Sequence, residues 1–490
     1  MQDLNQKHEQ DQSQKPLTKL DTENQEQDDY HSQKYSQKTN FFSPVLEPFQ
    51  WLQMLSSRLN PTFVLGVLLV YGLSQGFSGS YFKLFIGLYY IPWVMKPFWG
   101  LLTDVLPVKG YRRRPYFVLA GVVGAVSAVS VAAGGRLPVV LALTFLIGVT
   151  AGVAIGDVTI DACIARNSIE IRSLAADIQS LCGFCSSVGA LLGFSTSGFF
   201  VHHLGAQVAL GILAIPPATL IFLGFVIYEP RTIEDIHAEN KKPKEKLREA
   251  VSGMFRTIQV PQVWKPSLYM YLSLALSIST HEGQFYWYTD PKAGPAFSQE
   301  FVGMIYAIGA VASIVGVIIY HKALKDYPFR ALLFFAQLVY GVSGMLDLIF
   351  ILRWNLALGI PDYFFVILEE CVSRIVSRIR WTPMMVLSSQ LCPSGIEGTF
   401  FALLMCIDSL GSLTSKWGGG MVLHLLHVTR SDFKNLWLTV LIRNVLRILT
   451  LGLVFLVPNA DPSEALIPTN VLMKTEERVE MAPLNEKTEV

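Results

Sequence analysis

Charge is what this chain has little of. Asp, Glu, Lys and Arg make up 16% of its 490 residues, against about 25% in an ordinary soluble domain. The formal net charge is only +1, so the basic excess of a nucleic-acid binder is missing and no such partner is expected. Cysteine is sparse too. Cys163, Cys182, Cys185, Cys371, Cys392 and Cys406 all lie in or beside apolar runs, and no extracellular disulfide framework can be drawn from them. Cys182 and Cys185 have redox spacing, but inside an apolar run they read as small buried hydrophobes. There is no glycine-rich phosphate loop, metal-ligand cluster or nucleophile triad. We therefore expect no cofactor, no metal, no enzyme activity and no ATP-driven pump.

The first 40 residues lack aliphatics instead. They are rich in Gln, Asp, Glu and Lys, and such a segment cannot bury enough apolar surface to order itself. It has no apolar core for a secretory signal, and its many acids do not suit an organellar transit peptide. No clear chloroplast transit peptide is present. We read residues 1–60 as a disordered cytosolic tail, and 459–490 likewise.

What the chain has is apolar length. A helix needs about 20 apolar residues to cross a bilayer. Twelve stretches qualify: 62–80, 84–104, 115–134, 137–160, 174–201, 206–228, 267–288, 300–320, 329–352, 362–390, 398–427 and 434–458. Pro61, Gly205, Pro230, Pro266, Pro328 and Pro458 are among the breakers expected at the joints. Lys and Arg crowd the joints after spans 2, 4, 6 and 8, which places these joints and both termini in the cytosol. The long charged joint at 229–265 separates a bundle at 61–228 from one at 266–458. Its segment KKPKEKLREAVSGMFRTIQV, 241–260, reads either as a surface helix on the inner leaflet or as a solvated tether. Six spans plus six is the layout of the major facilitator fold, an all-α multi-pass membrane protein with a midplane site between two pseudo-repeated six-helix bundles.

Four blocks carry a more specific resemblance. Pro92-Trp93, Lys96-Pro97, Asp104, Pro107 and Gly110-Tyr-Arg-Arg-Arg-Pro-Tyr116 form the first. Asp157-Val-Thr-Ile-Asp161, Gln179-Ser-Leu-Cys182 and Leu391-Cys-Pro-Ser-Gly-Ile-Glu-Gly-Thr399 follow in order. Together they resemble the folate-biopterin transporter family, over roughly residues 60–458. The run Trp417 to Gly420 is similar to its plant branch. The resemblance implies a secondary transporter that moves folates or pterins by alternating access with proton symport. Its partners would be that small-molecule substrate, protons and membrane lipid, and its state a monomer.

Three departures stand beside the resemblance. Gly79 to Lys83 runs directly into Leu84, where the family carries a longer outer segment. Ala165-Arg166-Asn167 replaces a Glu-Arg pair, and span 7 reads Thr280-His-Glu-Gly-Gln284. Two alternatives stay open: a facilitator of another organic anion or a sugar, and a transport-impaired variant lacking the outer end of helix 1.

The few charges inside spans are the candidate functional residues, because an ion at the bilayer centre costs at least about 2.5–3.5 kcal/mol. Asp104 faces Arg112, Arg113 and Arg114 across the end of span 2. This reads as a gate, or as arginines that merely satisfy the topology rule. Asp157 and Asp161 share one helical face. Two poorly solvated acids so placed can hold and release a proton, which makes Asp157 a relay candidate. Asp161 is expected to pair with Arg112, Arg113 or Arg166. Lys96 lies mid-span and can meet an anion or Asp157. Glu370, Arg374 and Arg378 recur every four residues on span 10. Guanidinium forks match carboxylates, so Lys96, Arg374 and Arg378 are candidates for an anionic cargo, with an internal Glu370–Arg374 network as the alternative. Glu282 is a candidate acceptor for a pterin amino-imine edge, while Trp287 and Tyr288 read as an interfacial belt. Arg443 and Arg447 share a face of span 12 and are expected to pair with Asp408.

Overall fold

The computed structural model describes residues 47–77, 91–135, 137–229, 243–393 and 396–462. The abrupt joint at Gly79–Lys83 lies outside them. The chain divides into a short unit, Met1–Leu59, and a main body, Asn60–Val490. The short unit contains α1 (Glu47–Arg58). This corrects the expectation that residues 1–60 are disordered throughout. Phe49, Trp51, Leu52, Met54 and Leu55 supply the apolar side chains that the first 40 residues lack.

The main body is built from helices. Pro61 opens α2 (Pro61–Val67), which continues as wider π turns over Leu68–Phe77. There follow α3 (Ile91–Val94), α4 (Lys96–Val105), α5 (Arg114–Ala133), α6 (Val139–Glu170), α7 (Ala175–Ile212) and α8 (Ile215–Val226). After the amphipathic α9 (Pro243–Ile258) come α10 (Pro261–Ala275), α11 (His281–Thr289), α12 (Gln299–Ile319), α13 (Phe329–Ile351) and the single turn α14 (Trp354–Ala357). The last three are α15 (Asp362–Gln390), α16 (Glu397–Leu425) and α17 (Leu436–Leu449), the last tightening to 3-10 over Thr450–Leu456. Among the described residues, seven helical runs are by themselves long and apolar enough to cross a membrane. Helix α15 is long enough but too charged. It can sit in lipid only with those charges turned inward.

Two joints fall elsewhere than expected. Gly205 does not break a helix, and α7 runs through it to Ile212. A lone glycine weakens a helix by only about 1 kcal/mol, whereas Pro216 and Pro217 fit the first turn of α8. Pro266 lies inside α10, and the break comes later, between Ala275 and His281. Backbone groups freed there are met by α16: Ser279 N donates to Ser415 O at 3.0 Å, and Ser415 Oγ donates to Ser277 O at 2.6 Å. The glycine run after Trp417 explains the close approach, since a Cβ on Gly419 would stand 1.8 Å from Ser279 O.

The helices pack in a pattern that occurs twice. In the first half α2 packs on α7, and α5 packs on α6 and α8. In the second, α10 packs on α16, and α13 packs on α15 and α17. The halves meet where α4 packs on α16 and α7 on α12. Pro61, Pro115, Pro216, Pro261 and Pro328 open or flank helices rather than interrupt them.

Gly419→Ala is expected to force α16 off the α10–α11 break. Overpacking of this kind costs about 1–3 kcal/mol. Thermal unfolding of the detergent-solubilised protein should show a lower midpoint than wild type; an unchanged midpoint would contradict the contact.

Candidate transport site between the two halves

The seam between the halves is latched at the end that carries the basic loop 106–113. Helices α4 and α16 nearly touch there: a Cβ on Gly100 would meet Gly398 O at 2.7 Å. Asp104 Oδ2 accepts from Thr399 N and Thr399 Oγ1, each at 2.6 Å, so a carboxylate of the first half caps the first turn of α16. That is where a helix favours negative charge. Arg113 completes the latch, donating to Asp104 Oδ1 and to Thr103 Oγ1, each at 2.7 Å.

Arg112 and Arg114 do not share this role with Arg113. Glu229, just past α8, accepts the backbone N–H of Arg112 at 2.8 Å, of Arg113 at 3.0 Å and of Arg114 at 3.1 Å. The Arg114 guanidinium donates to the carbonyls of Gly224 and Phe225. The basic loop is thus a turn clamped on the end of α8 and on Glu229 just beyond it. Glu229 is legible only as an acid that ends an apolar span.

A second latch joins α7 to the residues after α12. Asp177 Oδ1 accepts from Lys325 Nζ at 2.8 Å and lies 3.1 Å from His321 Nδ1. The sequence offered no pairing signal for it, because its partners are 148 positions apart or nearly so.

Deeper in the first half, Lys96 Nζ lies 2.6 Å from Asp157 Oδ2 and 4.0 Å from Asp161 Oδ2. The Tyr71 hydroxyl donates to Asp161, and Lys96 sits 4.8 Å from the centroid of the Trp93 ring. Lys96, Asp157 and Asp161 are 5%, 1% and 2% exposed. Asp157 Oδ1 is buried with no hydrogen-bond partner among the described residues. Asp161 therefore does not pair with Arg112, Arg113 or Arg166. Helix α6 continues nine residues beyond it to Glu170, roughly 13 Å at the usual rise. Arg166, near that end, pairs with Glu170 at 2.9 Å.

In the second half, Arg374 Nε donates to Glu370 Oε1 at 2.6 Å, the internal pair weighed above. Arg378 differs. It donates to Ser313 Oγ of α12 at 3.1 Å and to Ser187 Oγ of α7 at 3.0 Å, and lies 5.5 Å from the Trp381 ring centroid. No carboxylate meets it among the described residues. An aromatic pair crosses the same seam, Phe194 of α7 with Tyr306 of α12 at 5.8 Å between centroids, and Arg374 lies 5.9 Å from the Tyr306 ring.

Arg443 and Arg447 do not pair with Asp408. Arg443 binds Asp347 of α13, and its Nη1 donates to Thr280 Oγ1 at 2.9 Å. Gln284 Nε2 donates to the other oxygen of Asp347 at 3.1 Å. Arg447 donates to Ser277 Oγ at 3.1 Å and stacks 4.2 Å from the Tyr340 centroid, with Arg380 at 4.3 Å from the same ring. Neither is an interfacial belt found where expected: Trp287 is 3% exposed and packs edge-on against Phe350 at 5.3 Å. Glu282 is exposed on α11, and the buried polar group of that helix is Gln284.

A two-fold helical pattern with an ion-lined seam defines a membrane transporter, and solved structures agree on the fold. The proton:xylose symporter XylE matches with a TM-score of 0.55 at 14% identity, over 85% of this chain and 98% of its own. FucP, a major facilitator transporter in the outward conformation, matches with a TM-score of 0.56 at 10% identity, over 81% and 99%. The chain has the major facilitator fold.

The sequence model of the BT1 family matches residues 67–471. "Probable folate-biopterin transporter 6" of Arabidopsis thaliana is 63% identical over 451 residues, covering 88% of this chain and 90% of that protein. "Folate-biopterin transporter" of Synechocystis sp. is 32% identical over 396 residues, covering 80% and 76%. The chain belongs to this family, the folate-biopterin transporters.

Removing one partner of a buried ion pair costs about 3–5 kcal/mol, because the other is left unpaired. Asp104→Asn should therefore open the α4–α16 latch while Arg166→Gln, at the exposed pair, should not. Hydrogen–deuterium exchange over 397–405 should speed up in the first variant only. Equal exchange in the two would remove the latch.

Proposed function

We propose that this protein is a secondary transporter that moves folates or pterins by alternating access, coupled to protons, with both termini in the cytosol. The observation that carries the reading is Arg378. A guanidinium in the middle of a span, held by one serine from each half and by no carboxylate, is a cation waiting for an anion. Folates end in glutamate carboxylates and are anionic at neutral pH. Arg378 is positioned to take such a carboxylate bidentately. Arg374, shared with Glu370, and Lys96, held by Asp157 and Asp161, reach the cargo only when their acids are protonated or drawn away.

The flat pteridine ring is assigned to an outer face of the Phe194–Tyr306 pair, where it can stack. Glu282 is the exposed acceptor we assign to the amino-imine edge. Asp157, Asp161 and Lys96 put two acids against one base. One negative charge is left unmet in a place that lipid makes expensive, and a bound proton meets it. We place the coupling proton of the first half there, on Asp157, whose second oxygen has no partner. The Asp104–Arg113–Thr399 and Asp177–Lys325 latches close the cytosolic end. Alternating access requires both to break when the halves rock the other way. The boundaries 61–228 and 266–458 then mark the two rocking bodies, joined by 229–265.

Uptake of labelled folate and pterin into vesicles holding the full chain, with and without a proton gradient, tests this reading. Arg378→Gln should lower folate uptake at least about tenfold, the usual scale for a lost charge-assisted contact, and Arg378→Lys should lower it less. Asp157→Asn should flatten the pH dependence of uptake with normal membrane insertion. Wild-type vesicles that take up neither folate nor pterin would refute the assignment.

A further inference from the structure

Helix α9 is used by none of these devices, and its surface is not that of a solvated tether. It packs on α4 of the first half and on α10 and α16 of the second. Its inner side is Ala250, 5% exposed, with Met254 against the apolar core and Gly253 toward Ile396, whose Cδ1 would lie 3.4 Å from a Cβ there. The two flanks beside that inner side differ. By helical spacing Leu247, Val251 and Ile258 fall on one, and Glu245, Glu249 and Arg256 on the other. Lys244, Arg248 and Phe255 share the outer edge of the apolar flank, all three exposed. Phe255 is 59% and Leu247 42% exposed, which is unusual for apolar side chains on a helix this charged. The following helix marks the level at which they lie. Trp264 and Leu268, one turn apart on α10, are both exposed, and Lys265 stands 5.9 Å from the Trp264 ring centroid. An exposed tryptophan beside a lysine at the end of a span marks the headgroup layer. The short joint 259–260 keeps α9 at that layer.

We propose that α9 binds the anionic lipid of the adjoining leaflet through Lys244, Leu247, Arg248, Val251 and Phe255, and that this binding holds the α4–α16 latch closed. An amphipathic helix lies in the interface with its apolar flank among the acyl chains. Lys244 and Arg248 then lay their stems along that flank and put their charges among the phosphates. Charge selects the occupant. The bilayer-facing edge is basic, and both acids are turned to the opposite flank. A zwitterionic surface would accept Leu247 and Phe255 but offer the two cations no net charge. The hold on the latch follows from what α9 touches. It packs on α4 and on α16, one helix from each half, and Ile396 beside Gly253 immediately precedes α16. When the halves part at this end, α9 cannot keep both contacts. A leaflet that fixes α9 in place therefore favours the latched arrangement over the open one. The inference is independent of what the protein carries: a chain that took up neither folate nor pterin would leave it standing.

Hydrogen–deuterium exchange of the full chain reads both parts, in vesicles of phosphatidylcholine alone and of phosphatidylcholine mixed with phosphatidylserine. Exchange over 243–258 should be slower in the anionic vesicles by at least about fivefold, the scale of one basic side chain near such a surface. High salt should shrink the difference. Exchange over 397–405 should slow in parallel. The double variant Lys244→Gln with Arg248→Gln should lose both differences, and Phe255→Ser should weaken them. Arg256→Gln, on the charged flank, should keep them. All four side chains are exposed, so the variants test the surface and not the core. Equal exchange over 243–258 in the two vesicles, or a double variant that keeps the difference, overturns the lipid site, as does an Arg256→Gln variant that loses as much as the double variant. Slowing over 243–258 without slowing over 397–405 overturns the hold on the latch. Protection of 243–258 that is already present in detergent and rises with protein concentration makes a second copy the occupant and overturns the lipid assignment.

Discussion

A formal charge in the hydrocarbon layer has to be met by another charge or by a bound ion, and this requirement organises the molecule. The deeply buried ions with contacts described above fall into two groups. Some are closed pairs, such as Arg113 with Asp104, Lys325 with Asp177 and Arg443 with Asp347. Others are unbalanced: Lys96 faces two acids, and Arg378 faces two serines. Closed pairs hold helices together. Unbalanced groups leave a charge that nothing in the described residues neutralises.

Where these groups sit on the seam separates their work. The closed pairs of the latches lie at one end of the α4–α16 and α7–α12 contacts. The first reaches the other half through Asp104 on Thr399, where Gly100 closely approaches Gly398 O; the second bridges the halves directly through Asp177 and Lys325. The unbalanced groups lie deeper, on α4, α6 and α15. In the transport cycle proposed above, a ligand that neutralises Arg378 would change the energy of the seam at its middle, and the latches would determine whether that change opens the far end. Coupling of this kind needs no single pathway, only two arrangements of the halves that differ in how the same charges are met.

The break between α10 and α11 serves the same logic. Discontinuous helices near the midplane free polar backbone that must be satisfied by neighbours. Here α16 does so through Ser415, and the broken segment delivers Ser277, Thr280 and Gln284 to Arg447, Arg443 and Asp347. A continuous helix would carry those short polar side chains past at a different angle. The polar network of the second half is thus a consequence of the break as much as of the residues.

Much of the architecture was legible beforehand because membrane helices are written in apolar length, and apolar length is a local property. The spans at 115–134, 329–352 and 362–390 match α5, α13 and α15 within a residue or so. Gly205 and Pro266 misled because a breaker is only a local bias that neighbouring turns can absorb. Among the site residues, the i to i+4 pair Glu370–Arg374 and the Lys96–Asp157 pairing could be anticipated from helical spacing and from charge alone. The partners of Asp161, Arg443 and Asp177 could not, since each lies on a helix distant in sequence. By itself the sequence determined that this is a multi-pass membrane protein and which ions would have to be turned inward. Only the tertiary structure decided which ion meets which, and which is left unmet, because pairing depends on the distance between helices, and hydropathy carries no information about that.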